Sequence, residues 1–253
     1  MPDKNIGDRR GIEGGLRELY QIGMDALLRT TAEVRQARWR QLYLRRRRAI
    51  IRTYLERSGA HKLQLGAGDN PIEGWLNTDA WPRAEQVAYL DVTQAFPLPD
   101  ESMDYVFSEH LIEHLDPDQG AVMLRECRRV LAPGGKIRLS TPDLQRVVGL
   151  LEHSGEPVQE RYLAWSRTYN SLPESDHLAV FVVNNFVRAW GHRFIYDRGA
   201  LSEALEKAGF RDISFRVPGE SSEPELSGLE AHGSVIGEDN NRFESMVAEA
   251  TKP

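Results

Sequence analysis

From His61 onward the chain repeats one pattern, and that pattern restricts the folds open to it more than any other feature. Short apolar runs alternate with Gly/Pro/Asp loops and with stretches of helical period. A parallel sheet with crossover connections produces this alternation, because its strands are buried on both faces and the chain must return before starting the next one. Strands are expected at Lys62–Leu65, Trp75–Thr78, Val87–Leu90, Tyr105–Phe107 and Ile137–Leu139, then near Ile213–Val217 and Ser245–Ala250. Between the fourth and fifth, Met123, Leu124, Cys127, Val130 and Leu131 share a helical face, and Pro133-Gly134-Gly135 stops that helix. Another helix runs from an Asp197 cap through Leu201, Leu205 and Ala208 to Gly209.

A chain of 253 residues can fill one core and carry an extra segment. Residues 11–57 read as helix, with Leu16, Tyr20 and Met24 and then Trp39, Tyr43, Ile50 and Tyr54 at helical spacing. The expected organisation is an N-terminal helical segment, 1–60, and a main α/β domain, 61–253. Within the latter, 144–196 break the alternation with mixed helical and aromatic content, as a cap-like insert over one sheet edge would.

Charge follows the same division. Residues 1–60 hold 14 Lys/Arg against 7 Asp/Glu, so they carry +7 and the remainder carries -13. An acidic body disfavours a nucleic-acid backbone as main partner. The run Arg45-Arg46-Arg47-Arg48, with Arg38, Arg40 and Arg52, would attract phosphate-bearing or lipid-linked molecules, an anionic membrane surface or RNA. Four consecutive arginines point around the whole helix, however, and a solvated helix is the simpler account. Met1 to Arg10 carry five charges and no apolar run, so no signal peptide is expected there, and Ala179–Val187 is too short to span a bilayer. A single cysteine, Cys127, suits a reducing compartment, and a cytoplasmic protein is expected.

Chemistry-bearing residues cluster at the expected strand ends. Gly66-Ala67-Gly68 follows the first strand, where glycines allow a ligand close to the backbone. Asp79 ends the second strand, placed to accept hydroxyl protons from a ribose, and Asp91 ends the third. A nicotinamide dinucleotide would require a third glycine and a helix N-terminus for its pyrophosphate. Here the third glycine is missing and Pro71 follows. S-adenosylmethionine has no phosphate, and its cationic sulfonium suits an acidic pocket.

The runs LGAGDNPIEGWLNTD, LDVTQAFPLPDESMDYVFSEHLIEHL and RVLAPGGKIRLSTPD resemble the class I S-adenosylmethionine-dependent methyltransferases. The likeness is close from Lys62 to Asp143 and looser over 194–210 and the last two strands. It implies a Rossmann-like, seven-stranded, mostly parallel sheet with an antiparallel last strand. It implies that Gly66, Ala67 and Gly68 face the methionine part of the cofactor and that Asp79 holds the ribose. Ala80 and Trp81 would lie beside the adenine, Asp91 and Val92 would meet its amino edge, and Ser108 and Glu109 would approach the methionine end. One departure is that Gly68 and Asp79 are only 11 positions apart, so the first crossover helix must shrink to a loop. The short NPIEGW connection is similar to a subgroup found in bacterial surface-carbohydrate synthesis, which points to a sugar or glycoside acceptor.

Methyl transfer is an in-line displacement, so alignment of acceptor, methyl and sulfur is the main task. An alcohol also gains from a base as it attacks, and histidine titrates in a useful range. His114 is the leading candidate, because similar enzymes often place a histidine there, and His110 and His192 compete with it. His177, Asn185, Trp190 and His232 are expected to bind the acceptor, since rings interleaved with amides and imidazoles suit a polar ring. A packed satellite core is the plainer account of Trp190 and Phe194. The loop 218–242 is long enough to close over the acceptor. Read as H-x-x-E-H, His110 to His114 also matches an inverted zinc-protease motif, but Pro117 leaves room for only a very short helix. Some sugar methyltransferases use a divalent metal, but no acidic cluster here compels one and no metal ligand is assigned. The alternative readings are an RNA or protein methyltransferase docking through the basic N-terminal helix and a non-catalytic cofactor-binding relative.

Overall fold

The structure, a computed structural model, describes residues 41–152 and 155–253. The expected helical positions Leu16, Tyr20, Met24 and Trp39, and the arginines Arg38 and Arg40, lie outside the described residues. Ala49–Pro253 form one compact unit. Its seven strands are β1 (Lys62–Leu65), β2 (Leu76–Asp79), β3 (Ala88–Tyr89), β4 (Met103–Glu109), β5 (Leu131–Pro142), β6 (Arg211–Arg216) and β7 (Ser245–Thr251). They lie in one sheet in the order β3-β2-β1-β4-β5-β7-β6. Strand β7 is antiparallel to β5 and β6, and the pairings among β1 to β5 are parallel. This is the mostly parallel Rossmann-like α/β sheet expected from the sequence. Its strand order reverses between β1 and β4, where such sheets open a crevice at their carboxyl ends.

The helices are α1 (described from 41, ending at 55), α2 (Pro117–Val130), α3 (Leu144–Gly149), α4 (Pro157–Tyr169), α5 (Leu178–Arg188), α6 (Arg198–Lys207), α7 (Gly233–Ile236) and α8 (Glu238–Glu244). Sequence explains α2 well. Asp116 and Gln119 form a reciprocal capping box, Pro117 occupies the first turn, and Met123, Leu124, Cys127 and Val130 are buried. Such a cap stabilises a helix by about 1 kcal/mol. Asp197 caps α6 through the Ala200 amide at 2.7 Å.

The two sheet faces are covered differently. Leu63, Leu65, Val106, Ile137, Leu139, Ala248 and Ala250 pack with Ile51 and Tyr54 of α1, with α2, and with Leu201 and Leu205 of α6. The opposite face carries the alternate residues: Phe107 packs with Trp75 and Leu226, while Arg138 and Glu249 form a buried ionic cluster. The loop after β6, in place of a helix, covers that face. Arg138 binds Glu230 through Nε at 2.7 Å and Nη2 at 3.0 Å, and its Nη1 donates to the Glu220 carbonyl at 3.0 Å. A segment expected to be free to close is thus fastened to the sheet between Glu220 and Glu230.

Among the described residues no helix joins β1 to β2. Two buried polar side chains hold that loop instead. The Ile72 amide donates to Gln64 Oε1 at 3.1 Å and to Asn77 Oδ1 at 2.9 Å, and Asn77 returns a bond to the Ile72 carbonyl. Helices α3 to α5 build a smaller core in which Leu150, Tyr162, Leu163, Ala179 and Val182 meet Phe243 of α8. No described helix is long and apolar enough to cross a membrane.

Candidate active site

The carboxyl ends of β1, β2 and β3 bring Gly66, Gly68, Asp79 and Asp91 to one edge. Gly66 and Gly68 both have left-handed backbones, with φ of 68° and 51°, which glycine adopts without steric cost. A Cβ at Gly68 would meet nothing within 4 Å, whereas one at Gly66 would press on Leu111 at 3.3 Å. The Asp79 carboxylate accepts from the Gly68 amide at 2.9 Å and from the Trp81 amide at 2.6 Å. This ties the glycine loop to the second strand end. Each carboxylate oxygen retains a further lone pair for a ligand hydroxyl. Asp91 Oδ1 accepts from the amide and the hydroxyl of Thr93, at 3.0 and 2.7 Å. Val92 is buried beneath it, and Trp81 is 56% exposed. An open glycine turn and two acidic strand ends fit a ligand with a diol and a cationic head.

At the end of β4 the chain turns sharply at His110, whose φ is 45°. A left-handed non-glycine residue is uncommon and concentrates at functional sites. A 3-10 turn, Ile112–His114, follows. Glu113 is fully buried there: Oε1 accepts from His110 Nδ1 at 3.0 Å and Oε2 from Thr141 Oγ1 at 3.0 Å. Burial works against charge on His110, but the hydrogen bond and charge of Glu113, with Glu244 and Glu109, outweigh it and hold the imidazole pKa above its ordinary value. Burial likewise opposes the ionised form of Glu113. The hydrogen bond and charge of His110 prevail, so its pKa lies below the usual carboxylate value.

Past this turn lies a cavity of about 210 Å³. Four histidines line it, His110, His114, His192 and His232, together with Glu113 and Glu244. Its aromatic wall is Tyr162, Trp165, Tyr169, Phe186 and Trp190. His192 Nδ1 donates to the Phe186 carbonyl at 2.7 Å, which leaves Nε2 as the lone-pair nitrogen. Burial lowers the His192 pKa, against the pull of that carbonyl and of Glu113. Its ring stands 5.2 Å from that of His114. The pair is brought together by the backbone, since the Glu113 carbonyl accepts from the Arg193 and Phe194 amides at 2.8 and 3.2 Å. Trp190 and Gly191, with φ of 56° and 82°, make the turn that delivers His192.

Some expected site residues fall elsewhere. His177 is exposed at the start of α5, and neither it nor Asn185 lines the cavity, because α5 turns Ala179, Val182 and Phe186 inward. The Glu109 carboxylate is engaged by the Ala231 and His232 amides, at 3.0 and 2.9 Å. It therefore sets the position of His232, whose ring lies 4.0 Å from that of His110. Ser108 is buried, and Ala80 is exposed. Sequence reasoning missed Tyr162, Trp165, Tyr169 and Glu244. The Tyr162 hydroxyl donates to Glu244, and His232 Nε2 lies 3.3 Å from the same carboxylate. No local sequence signal links these residues, because Tyr162 and Glu244 lie 82 positions apart.

Residues 74–139 match the family model described as a methyltransferase domain. The chain is also similar to solved structures. One is an S-adenosylmethionine-dependent methyltransferase from Archaeoglobus fulgidus, with 21% identity over 84% of this chain and 94% of that one and a TM-score of 0.46. Another, from Mesorhizobium loti, has 16% identity over 77% of this chain and 92% of that one and a TM-score of 0.45. No curated protein matches the sequence. The segment that matches the methyltransferase-domain model spans β2 to most of β5 of the Rossmann-like sheet.

Proposed function

We propose that the chain methylates a hydroxyl of a small polar ring, a sugar or glycoside, bound in the histidine-lined cavity. The observation that carries this reading is the state of His192: with Nδ1 committed to the Phe186 carbonyl, Nε2 is a proton acceptor beside His114. S-adenosylmethionine supplies an electrophilic methyl group. Gly66, Gly68, Asp79 and Asp91 hold the donor along the strand ends, with Ala67, Ala80, Trp81, Val92 and Ser108 around it. Trp190, Tyr169 and Trp165 offer flat apolar faces against which a sugar ring stacks, and Asn170 and His232 offer polar groups at its edge. In this reading His114 or His192 relieves the acceptor hydroxyl of its proton as the oxygen attacks. His110, held by Glu113, keeps the turn in shape.

Incubation with methyl-labelled donor and a panel of sugars, glycosides, phenols and amines tests the proposal. Label on a sugar oxygen is the expected result. Label on amines alone, or on RNA or protein alone, would overturn it.

A further inference from the structure

Direct proton transfer needs one histidine, yet the cavity brings a second imidazole and a buried carboxylate close to it. Glu113, His114 and His192 present ligand atoms that all lie within 4.8 Å of one another. We propose that these three residues bind a divalent transition metal, Zn²⁺ or Fe²⁺ in class, with open positions facing the cavity. The sequence motif pointed to a different set, His110 with His114 on one helical face. A three-residue 3-10 turn cannot provide that face, whereas consecutive Glu113 and His114, joined by His192 from beyond α5, can surround one ion.

Three observations carry the site. First, its chemistry suits a borderline metal: two imidazoles and one carboxylate select for zinc or iron over calcium and magnesium, which take oxygens. Second, the outer contacts are already in place. Metal-bound histidines usually donate their second nitrogen to a carbonyl or carboxylate, and ligating carboxylates are themselves hydrogen-bonded. His192 donates Nδ1 to Phe186 at 2.7 Å, and Glu113 is held by His110 and Thr141 at 3.0 Å each. Third, Glu113 is fully buried while both imidazoles are partly exposed, so the charge lies at the closed end and open positions face the cavity. Bond lengths of about 2.1 Å set neighbouring ligand atoms roughly 3–3.5 Å apart, so the set must contract. Among the described residues no hydrogen bond fixes the His114 ring, and its rotation supplies the contraction.

This inference rests on the acceptor-cavity reading and refines how the proton leaves. With the acceptor hydroxyl on an open metal position, its acidity rises, as it does for metal-bound water. The O–H proton is released to solvent, the oxygen forms a bond to the methyl carbon, and the carbon–sulfur bond breaks, leaving a neutral thioether. The two imidazoles then act on that proton through the metal.

The test is calorimetric titration of chelator-stripped full-length protein with zinc chloride, and separately with cobalt(II) followed by its visible absorption. The expected result is one equivalent bound at micromolar affinity or tighter, weakened at least tenfold in His192→Ala and Glu113→Gln. His114→Ala serves as a second variant that loses no side-chain hydrogen bond among the described residues. S-adenosylhomocysteine affinity, unchanged throughout, reports that each variant is folded. No stoichiometric metal, or binding that the three variants leave untouched, overturns the site and leaves direct proton transfer to histidine standing. Metal bound as expected with no methyl transfer to any hydroxyl supports the site and removes the sugar reading.

Discussion

Arg138 on β5 and Glu230 in the loop after β6 meet through two hydrogen bonds, of 2.7 and 3.0 Å, with both side chains sealed from solvent. Glu249 on β7 completes the cluster at 2.6 Å. Glu230 also accepts from the Gly219 amide at 2.8 Å, so one carboxylate pins both ends of the loop that leads to His232. Removing one partner of a buried pair leaves the other charge uncompensated, at a cost of about 3–5 kcal/mol.

Glu230→Ala should therefore destabilise the fold by about 3 kcal/mol, the lower end because Glu249 still faces Arg138. Denaturant unfolding measures the loss, and hydrogen exchange should show amides 219–232 opening first. A loss below about 1 kcal/mol would mean that the loop is held elsewhere.

Asp79→Ala should weaken S-adenosylhomocysteine at least tenfold, about 1.4 kcal/mol. The variant loses the assigned ribose contact and also the tie between the Gly68 amide and β2. Titration calorimetry reads the affinity directly. Near-wild-type binding would remove Asp79 from the cofactor site.

His114→Ala and His192→Ala should each cut turnover by roughly a hundredfold or more while cofactor affinity holds. His110→Ala should instead lower stability, because it strips Glu113 of its hydrogen-bond partner in a fully buried site. Thermal unfolding beside single-turnover rates separates the two effects. Turnover that survives loss of both His114 and His192 would place the chemistry outside this cavity.

An acid-side stability loss should come from Glu126. Arg129 donates to it at 2.9 and 2.7 Å, outweighing partial burial, and the Phe96 amide adds a third bond, so its pKa lies below the ordinary 4.5. A carboxylate depressed in the folded state contributes stability above its unfolded pKa and loses it as pH falls through the folded one. Glu126→Gln should cost about 1–2 kcal/mol near pH 7, and the gap to wild type should close on acidification below about pH 4. A gap that stays constant with pH would contradict the ionic account.

Local sequence was enough for the strand ladder. Short apolar runs mark β1, β4 and β7, whose residues are mostly buried, and the capping residues Asp116 and Asp197 mark helix starts by chemistry confined to a few positions. Gly66, Gly68 and Asp79 were legible for the same reason, since backbone freedom and a strand-end acid are properties of single residues in a known register. The short connection between Gly68 and Asp79 foretold a loop, but not that Gln64 and Asn77 would fasten it.

The cavity could not be read that way. Tyr162 and Glu244 are 82 positions apart, and His192 reaches His114 only because Arg193 and Phe194 bond the Glu113 carbonyl across the same kind of gap. A helix shows its inward face by its period. In α5 that face excluded Asn185 and left His177 at the exposed start, although both looked suited to a polar ligand. The amino-acid sequence by itself determined the sheet and its carboxyl-edge glycines and acids, because these depend on neighbours in the chain. Tertiary structure alone decided which histidines meet, which carboxylates are neutralised and which loop is locked, because each depends on residues brought together from distant positions.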